Sequence, residues 1–149
     1  MKTMLIAAAA CLLGGCAMMP PSPQEAALEA QAKATVPHCT SARQCEGEWA
    51  AAREWVTSNC PMKIQTMTDS YISTYNGVGD DDADISCSVS KDPMPAGGYQ
   101  IAFSAGCGNM FGCVPSPWQA AVDFNKAVNA AGVAFASAPP AVPAPVAQR

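Results

Sequence analysis

Apolar residues recur with two different periods along the middle of the chain. Cys45, Trp49, Ala52 and Val56 fall at i, i+4, i+7 and i+11, one face of a 3.6-residue helix. Trp55 widens that stripe, while Glu46, Arg53 and Glu54 lie off it. Ser41 and Gln44 bracket the start as a capping box, and Asn59 and Pro61 end the helix, because proline disfavours the α region for the residue before it. From Asp84 to Lys91 the period drops to two, with Ile85, Cys87 and Val89 facing one way and Ser86, Ser88 and Ser90 the other. Tyr99, Ile101, Phe103 and Ala105 alternate in the same manner, and the turn-rich stretch 92–98 joins the two as half-buried strands. Met62 to Tyr75 is strand-like without a fixed phase: one long strand with a bulge, or two strands turning at Asp69-Ser70. A second helix opens at Ser116-Pro117, carries Trp118, Ala121, Val122, Phe124 and Val128 on one face, and meets a stop at Gly132. This order predicts an α+β domain: an antiparallel sheet of three or four strands flanked by an N-terminal and a C-terminal helix.

Outside that stretch, apolar residues carry a different meaning. Met4 to Leu13 is an unbroken apolar run of ten residues behind Lys2. It falls far short of the roughly 20 residues a spanning helix needs and reads as the core of a secretory signal. Leu13-Gly14-Gly15-Cys16 resembles the lipobox of bacterial lipoproteins. The resemblance implies a signal peptide over residues 1–15, a diacylglycerol on the Cys16 sulfur and a palmitate-type acyl group on its amine. Cys11 would leave with the signal. Ala17 stands where Asp favours inner-membrane retention, which by the same resemblance implies the outer membrane, on its periplasmic side. An ordinary signal cut after Ala17 is the alternative. Two or more acyl chains anchor a protein stably, so the folded part needs no membrane-binding face of its own.

Residues 16–37 are rich in Ala, Pro, Gln and Glu and read as the lipidated cysteine plus a flexible linker. Gln24 to Ala34 has a helical composition, yet Ala-rich helices under about 15 residues are marginal alone. At the other end, residues 133–149 carry Pro139, Pro140, Pro143 and Pro145 among alanines, a composition expected to stay disordered. The domain is therefore expected over residues 38–132.

Composition sharpens this picture. The 149-residue chain is 50% apolar, but the signal and the Ala/Pro tails inflate that figure. Its net charge of −4 excludes nucleic acid and anionic lipid headgroups as main partners, since both reward a basic face. Eight cysteines in so short a chain suggest an oxidising compartment. Setting aside Cys11 and Cys16 leaves Cys39, Cys45, Cys60, Cys87, Cys107 and Cys113, which admit fifteen pairings. Two C-x5-C spacings suggest Cys39 with Cys45 and Cys107 with Cys113, leaving Cys60 for Cys87. On loop entropy each short bridge contributes about 2 kcal/mol and the long one about 3.5 kcal/mol.

The candidate chemistry is sparse. Thiol redox enzymes normally use C-x-x-C and zinc sites C-x2-4-C, and neither spacing occurs among the six cysteines left after Cys11 and Cys16. No metal or other cofactor is expected, and no catalytic residues. His38 could serve as a base beside Thr40 or Ser41, but a single histidine at the start of a domain reads as a surface residue. Asp80, Asp82 and Asp84 alternate like a calcium loop, yet Ile85 replaces the required Gly and Lys91 the bidentate Glu, which leaves an acidic hairpin tip. Met110 and Phe111 sit mid-loop between Gly108 and Gly112. They are either held outward as a partner-binding contact or folded back under Trp118, the arrangement expected here.

Cys39-x5-Cys45, Trp49-x5-Trp55-Val56, Lys63-Ile64-Gln65-Thr66, the run from Cys107 to Pro115, and Asp123-Phe124-Asn125 together resemble a group of small exported proteobacterial proteins, over about residues 38–130. That resemblance implies localisation and no activity. The helix followed by Lys63-Ile64-Gln65 and later strands also resembles lipoprotein domains with a TATA-binding-protein-like curved sheet, although no strand is evident before the helix. The expected function is a lipid-anchored periplasmic domain that binds or scaffolds rather than catalyses, its sheet or its Cys107–Cys113 loop contacting an envelope protein or polymer. The alternatives are a thiol oxidoreductase and an inhibitor of a cell-wall hydrolase.

Overall fold

The structure is a computed structural model and describes residues 21–77 and 83–138. The signal peptide, Cys11, Cys16, Asp80, Asp82 and residues 139–149 of the tail lie outside the described residues. The chain forms three helices and five strands in the order α1 (Pro23–Ala34), β1 (His38–Cys39), α2 (Ala42–Asn59), β2 (Ile64–Met67), β3 (Tyr71–Thr74), β4 (Ser86–Pro93), β5 (Tyr99–Gly106) and α3 (Pro117–Ser137). The strands make one antiparallel sheet in the order β1-β5-β4-β3-β2.

The period-two stretches become the centre of that sheet. Cys87 lies opposite Ala105 and Val89 opposite Phe103 across β4–β5, and Val89 also faces Ile72 on β3. All of these side chains lie on the face that α2 and α3 cover. Trp55, Phe103 and Phe124 meet there, with ring centroids 4.7–5.4 Å apart, and Val56, Ile72, Ile85, Ile101 and Val128 are fully buried around them. The opposite face stays open and carries Thr66, Ser73, Ser88 and Ser104 in one cross-strand row.

The sheet has five strands rather than three or four. Met62–Tyr75 divides into β2 and β3, which turn through Thr68-Asp69-Ser70, and β1 adds an edge strand before α2. Two residues are too short to register as a period, and β1 holds its place by pairing with Gln100 and Tyr99. The C-terminal helix also runs through Gly132 to Ser137, so residues 133–137 belong to α3 rather than to a disordered tail. Gly132 is buried mid-helix, and a Cβ there would lie 2.1 Å from Glu48 Oε1, so the glycine permits close approach of α2 instead of ending the helix.

Residues 23–34, expected within a flexible linker whose composition allows a short helix, fold as part of the domain. They form α1, capped by Ser22 Oγ, which accepts from Glu25 N at 3.2 Å, with Pro23 in the first turn. Leu28 and Ala32 pack with Trp118, Ala121 and Val122 of α3. Asn125 Nδ2 donates to Ala32 O and Asn129 Nδ2 to Thr35 O, both at 2.8 Å, which satisfies carbonyls at the end of α1. Docking on α3 supplies the stability that an isolated Ala-rich helix lacks.

Three disulfides cross-link the fold: Cys39–Cys45, Cys60–Cys87 and Cys107–Cys113, the connectivity the spacing suggests. They point to an oxidising, extracytoplasmic compartment. Among the described residues no helix is long and apolar enough to cross a membrane.

Candidate functional site

The 21 residues of α3 make a rod about 32 Å long at 1.5 Å per residue, and it defines two ends of the molecule. Helix α2 runs antiparallel to it: Trp55 meets Phe124, Glu48 meets Gly132 and Gly47 meets Phe135. The start of α2 therefore lies with the end of α3, beside β1, Lys91 and Tyr99. At the opposite end lie the start of α3, the start of β4, the end of β5 and the Cys107–Cys113 loop. Helix α1 begins at that second end, where Ser116 Oγ donates to Glu25 Oε2 at 3.0 Å.

The Cys107–Cys113 loop presents a compact apolar tip. Its disulfide holds the two Cα atoms 5.6 Å apart. Asn109 turns the chain: its Oδ1 accepts from Phe111 N at 2.8 Å and its backbone oxygen from Gly112 N at 3.3 Å. Gly112 adopts φ +114°, the left-handed region that glycine enters without strain. The result overturns the expected fold-back under Trp118: Met110 is 82% exposed and Phe111 91%. Trp118 packs instead with Leu28 and Ala32 of α1. Val114, 68% exposed, extends the tip, and its N–H bonds to Ala83 O at 2.8 Å.

The other end is polar and partly charged. Trp49 is buried beneath two cations, with Arg53 and Lys91 each 5.8 Å from its ring. Lys91 also lies 4.8 Å from the Tyr99 ring, so its ammonium sits between two aromatic faces. Arg53 Nη2 donates to Asp69 Oδ1 and to Thr68 O, both at 2.8 Å, tying α2 to the β2–β3 turn. These side chains, with Ser41 and Glu46, line a groove of about 670 Å³. Trp49 Nε1 and Arg53 Nε are buried there without an acceptor.

Behind the groove, Glu48 is buried between α2 and α3. Its Oε1 accepts from Gln44 Nε2 at 2.8 Å, and Oε2 has no partner. Burial raises the carboxyl above its ordinary range, while the Gln44 bond and the nearby His38 hold it down. Gln44 also spans the capping box: its N–H bonds to Ser41 Oγ, its Oε1 accepts from Thr40 N, and its Nε2 reaches His38 O.

All six cysteines of the domain are paired, and Cys39, Cys45, Cys60 and Cys87 are buried. His38 is exposed on β1, where its carbonyl takes the structural bond. Asp84 bridges to Val114 beside the apolar tip. Among the described residues no group of three His, Cys, Asp or Glu side chains is placed to hold a metal ion.

The groove escapes sequence reasoning, although two signals mark it. Lys91 continues the core-facing phase of Ile85, Cys87 and Val89, and a cation in that phase shows that the core opens at the end of β4. Gln44 and Glu48 are one helical turn apart on the Cys45–Trp49 side of α2, a polar pair beside an apolar stripe. Against this geometry, no family model matches the chain, and no curated protein or solved structure shows significant similarity to it.

Proposed function

We propose that this protein is a lipid-anchored periplasmic domain of the outer membrane that binds or scaffolds rather than catalyses. Acylated Cys16 localises it, Met110 and Phe111 make an apolar contact, and the groove of Trp49, Lys91 and Tyr99 at the opposite end meets an envelope protein or polymer. The exposure of Met110 and Phe111, 82% and 91%, in a disulfide-closed loop carries the binding reading. Large apolar side chains held out of a core on a pre-ordered loop lose little entropy on binding, and such anchors dominate contact energetics. Burial of four of the six bridged cysteines argues against a thiol oxidoreductase, whose attacking sulfur must be reached by substrate.

Intact-mass measurement of the membrane-extracted protein tests the anchor. The mature chain should begin at Cys16 and carry acyl mass, and Cys16→Ala should abolish both membrane retention and acylation. A free amine at Met18 would instead establish the ordinary signal cut. Thiol counting under mild reductant tests the class: three resistant disulfides fit a binding domain, one readily reduced pair an oxidoreductase. Recovery of a cell-wall hydrolase by crosslinking through the groove would turn the binding reading into inhibition.

A further inference from the structure

We infer that the Met110–Phe111 tip docks onto the bilayer itself, inserting shallowly among zwitterionic phospholipids and fixing which end of the domain faces outward. The inference rests on acylation of Cys16 and goes beyond it, because an acyl anchor alone leaves orientation free.

Chain length is the first argument. Because α1 is part of the folded body, only six residue steps separate Cys16 from the cap Ser22. At no more than about 3.6 Å per residue that tether spans at most about 22 Å. It enters the domain at the first turn of α1, which contacts Ser116. Phe111 is five residues from Ser116, within about 18 Å along the chain on the same measure. The tip thus sits at the end where the tether enters, within reach of the anchored surface. The groove of Trp49, Lys91 and Tyr99 lies at the other end of α3 and β5, directed away from it.

Chemistry is the second. From Cys107 to Ser116 there is no charged residue, and the two most exposed large apolar side chains are an aromatic and a methionine. A loop entering an apolar medium must satisfy its own backbone groups, and here Phe111 N and Gly112 N both bond to Asn109. Depth is limited by Asp84, exposed beside Val114, whose carboxylate stays in the headgroup water. Residues 16–149 carry seven basic and twelve acidic side chains, a net charge of −5 that favours zwitterionic over anionic lipid. A protein partner would have to enter the narrow space beneath a domain held this close to the bilayer, so the lipid surface is the occupant the tether favours.

Photocrosslinking in whole cells tests this on the full chain with its own N-terminus. A photoreactive residue is introduced as Phe111→benzoylphenylalanine and, for comparison at the other end, as Tyr99→benzoylphenylalanine. After irradiation, intact mass reads the Cys16 acyl groups and any adduct in the same spectrum. Acylated chain gaining one phospholipid mass with the probe at 111, and none with the probe at 99, is the expected result. Acylated chain that captures a protein at 111, captures nothing there, or labels equally at both positions overturns the docking and leaves the anchor standing. Chain without acyl mass overturns the anchor, and the docking falls with it.

Discussion

The two ends of the molecule are closed by disulfides of identical spacing that do opposite work. Cys39–Cys45 and Cys107–Cys113 each have a sequence separation of 6. The first is sunk into the fold: Cys39 is fully buried, Cys45 nearly so, and the bridge ties edge strand β1 to the second turn of α2. The second crosses no element boundary of the core and closes a loop whose central side chains stand in solvent. A C-x5-C pair therefore specifies a short covalent ring and nothing about its use. What surrounds the ring decides whether it fastens two elements or displays what lies between its ends.

Removing each bridge in turn separates the two roles. Cys39→Ala/Cys45→Ala should cost about 3–5 kcal/mol, because loop-closure entropy is lost together with the pairing of β1 to β5. Cys107→Ala/Cys113→Ala should cost about 2 kcal/mol or less, mostly chain entropy, while amide exchange at Phe111 and Gly112 accelerates. Denaturant titration of both double variants checks the order, and equal losses would show that the tip is as much part of the core as β1.

A pair of glycines repeats the contrast without touching sulfur. Gly98 has φ +81°, and a Cβ there would meet Cys39 O at 2.1 Å, a backbone atom that cannot step aside. Gly98→Ala should cost about 3 kcal/mol or more, from the left-handed conformation and the clash together. Gly112 has φ +114°, and a Cβ there would meet nothing within 4 Å, so Gly112→Ala should cost only about 1–2 kcal/mol from backbone conformation. Thermal unfolding of the two variants reads the difference directly.

Periodicity makes the middle of the fold legible. The alternation of Ile85, Cys87 and Val89 against serines, and of Tyr99, Ile101 and Phe103, becomes β4 and β5, and the Cys45–Trp49–Ala52–Val56 stripe becomes the buried face of α2. Elements whose stability comes from elsewhere are not legible. Helix α1 has almost no apolar face of its own and depends on Trp118, Ala121 and Val122, some ninety residues away in sequence. Strand β1 depends on a partner strand and a disulfide. The exposed tip escapes local reading for the same reason. Whether Phe111 folds under Trp118 depends on whether α1 has already taken that surface, a tertiary competition that no local pattern encodes. Lys91 and Glu48 are visible as violations of the pattern, one in the phase of a strand and one beside the stripe of a helix.

Glu48 gives an effect as small as that of Gly112 and one particular to the end where α2 begins. Its carboxyl is raised by burial in the folded state, so between its ordinary value of 4.5 and the raised value the folded protein holds a proton that the unfolded chain releases. The contribution to stability is fully present below 4.5 and is lost as pH rises through the folded value. Above that, a charged carboxylate with one unpartnered oxygen remains between α2 and α3. Glu48→Gln removes the titration and keeps an oxygen for Gln44 Nε2, so it should raise stability at pH 8 by about 1–2 kcal/mol and leave it nearly unchanged at pH 4. Gln44→Ala should act in the opposite sense. It removes a bond that holds the carboxyl down, so the loss of stability with rising pH should extend further into the neutral range. Urea titrations at pH 4, 6 and 8 on the three proteins separate these outcomes. A wild-type slope that survives Glu48→Gln would move the pH dependence away from the interface of α2 and α3.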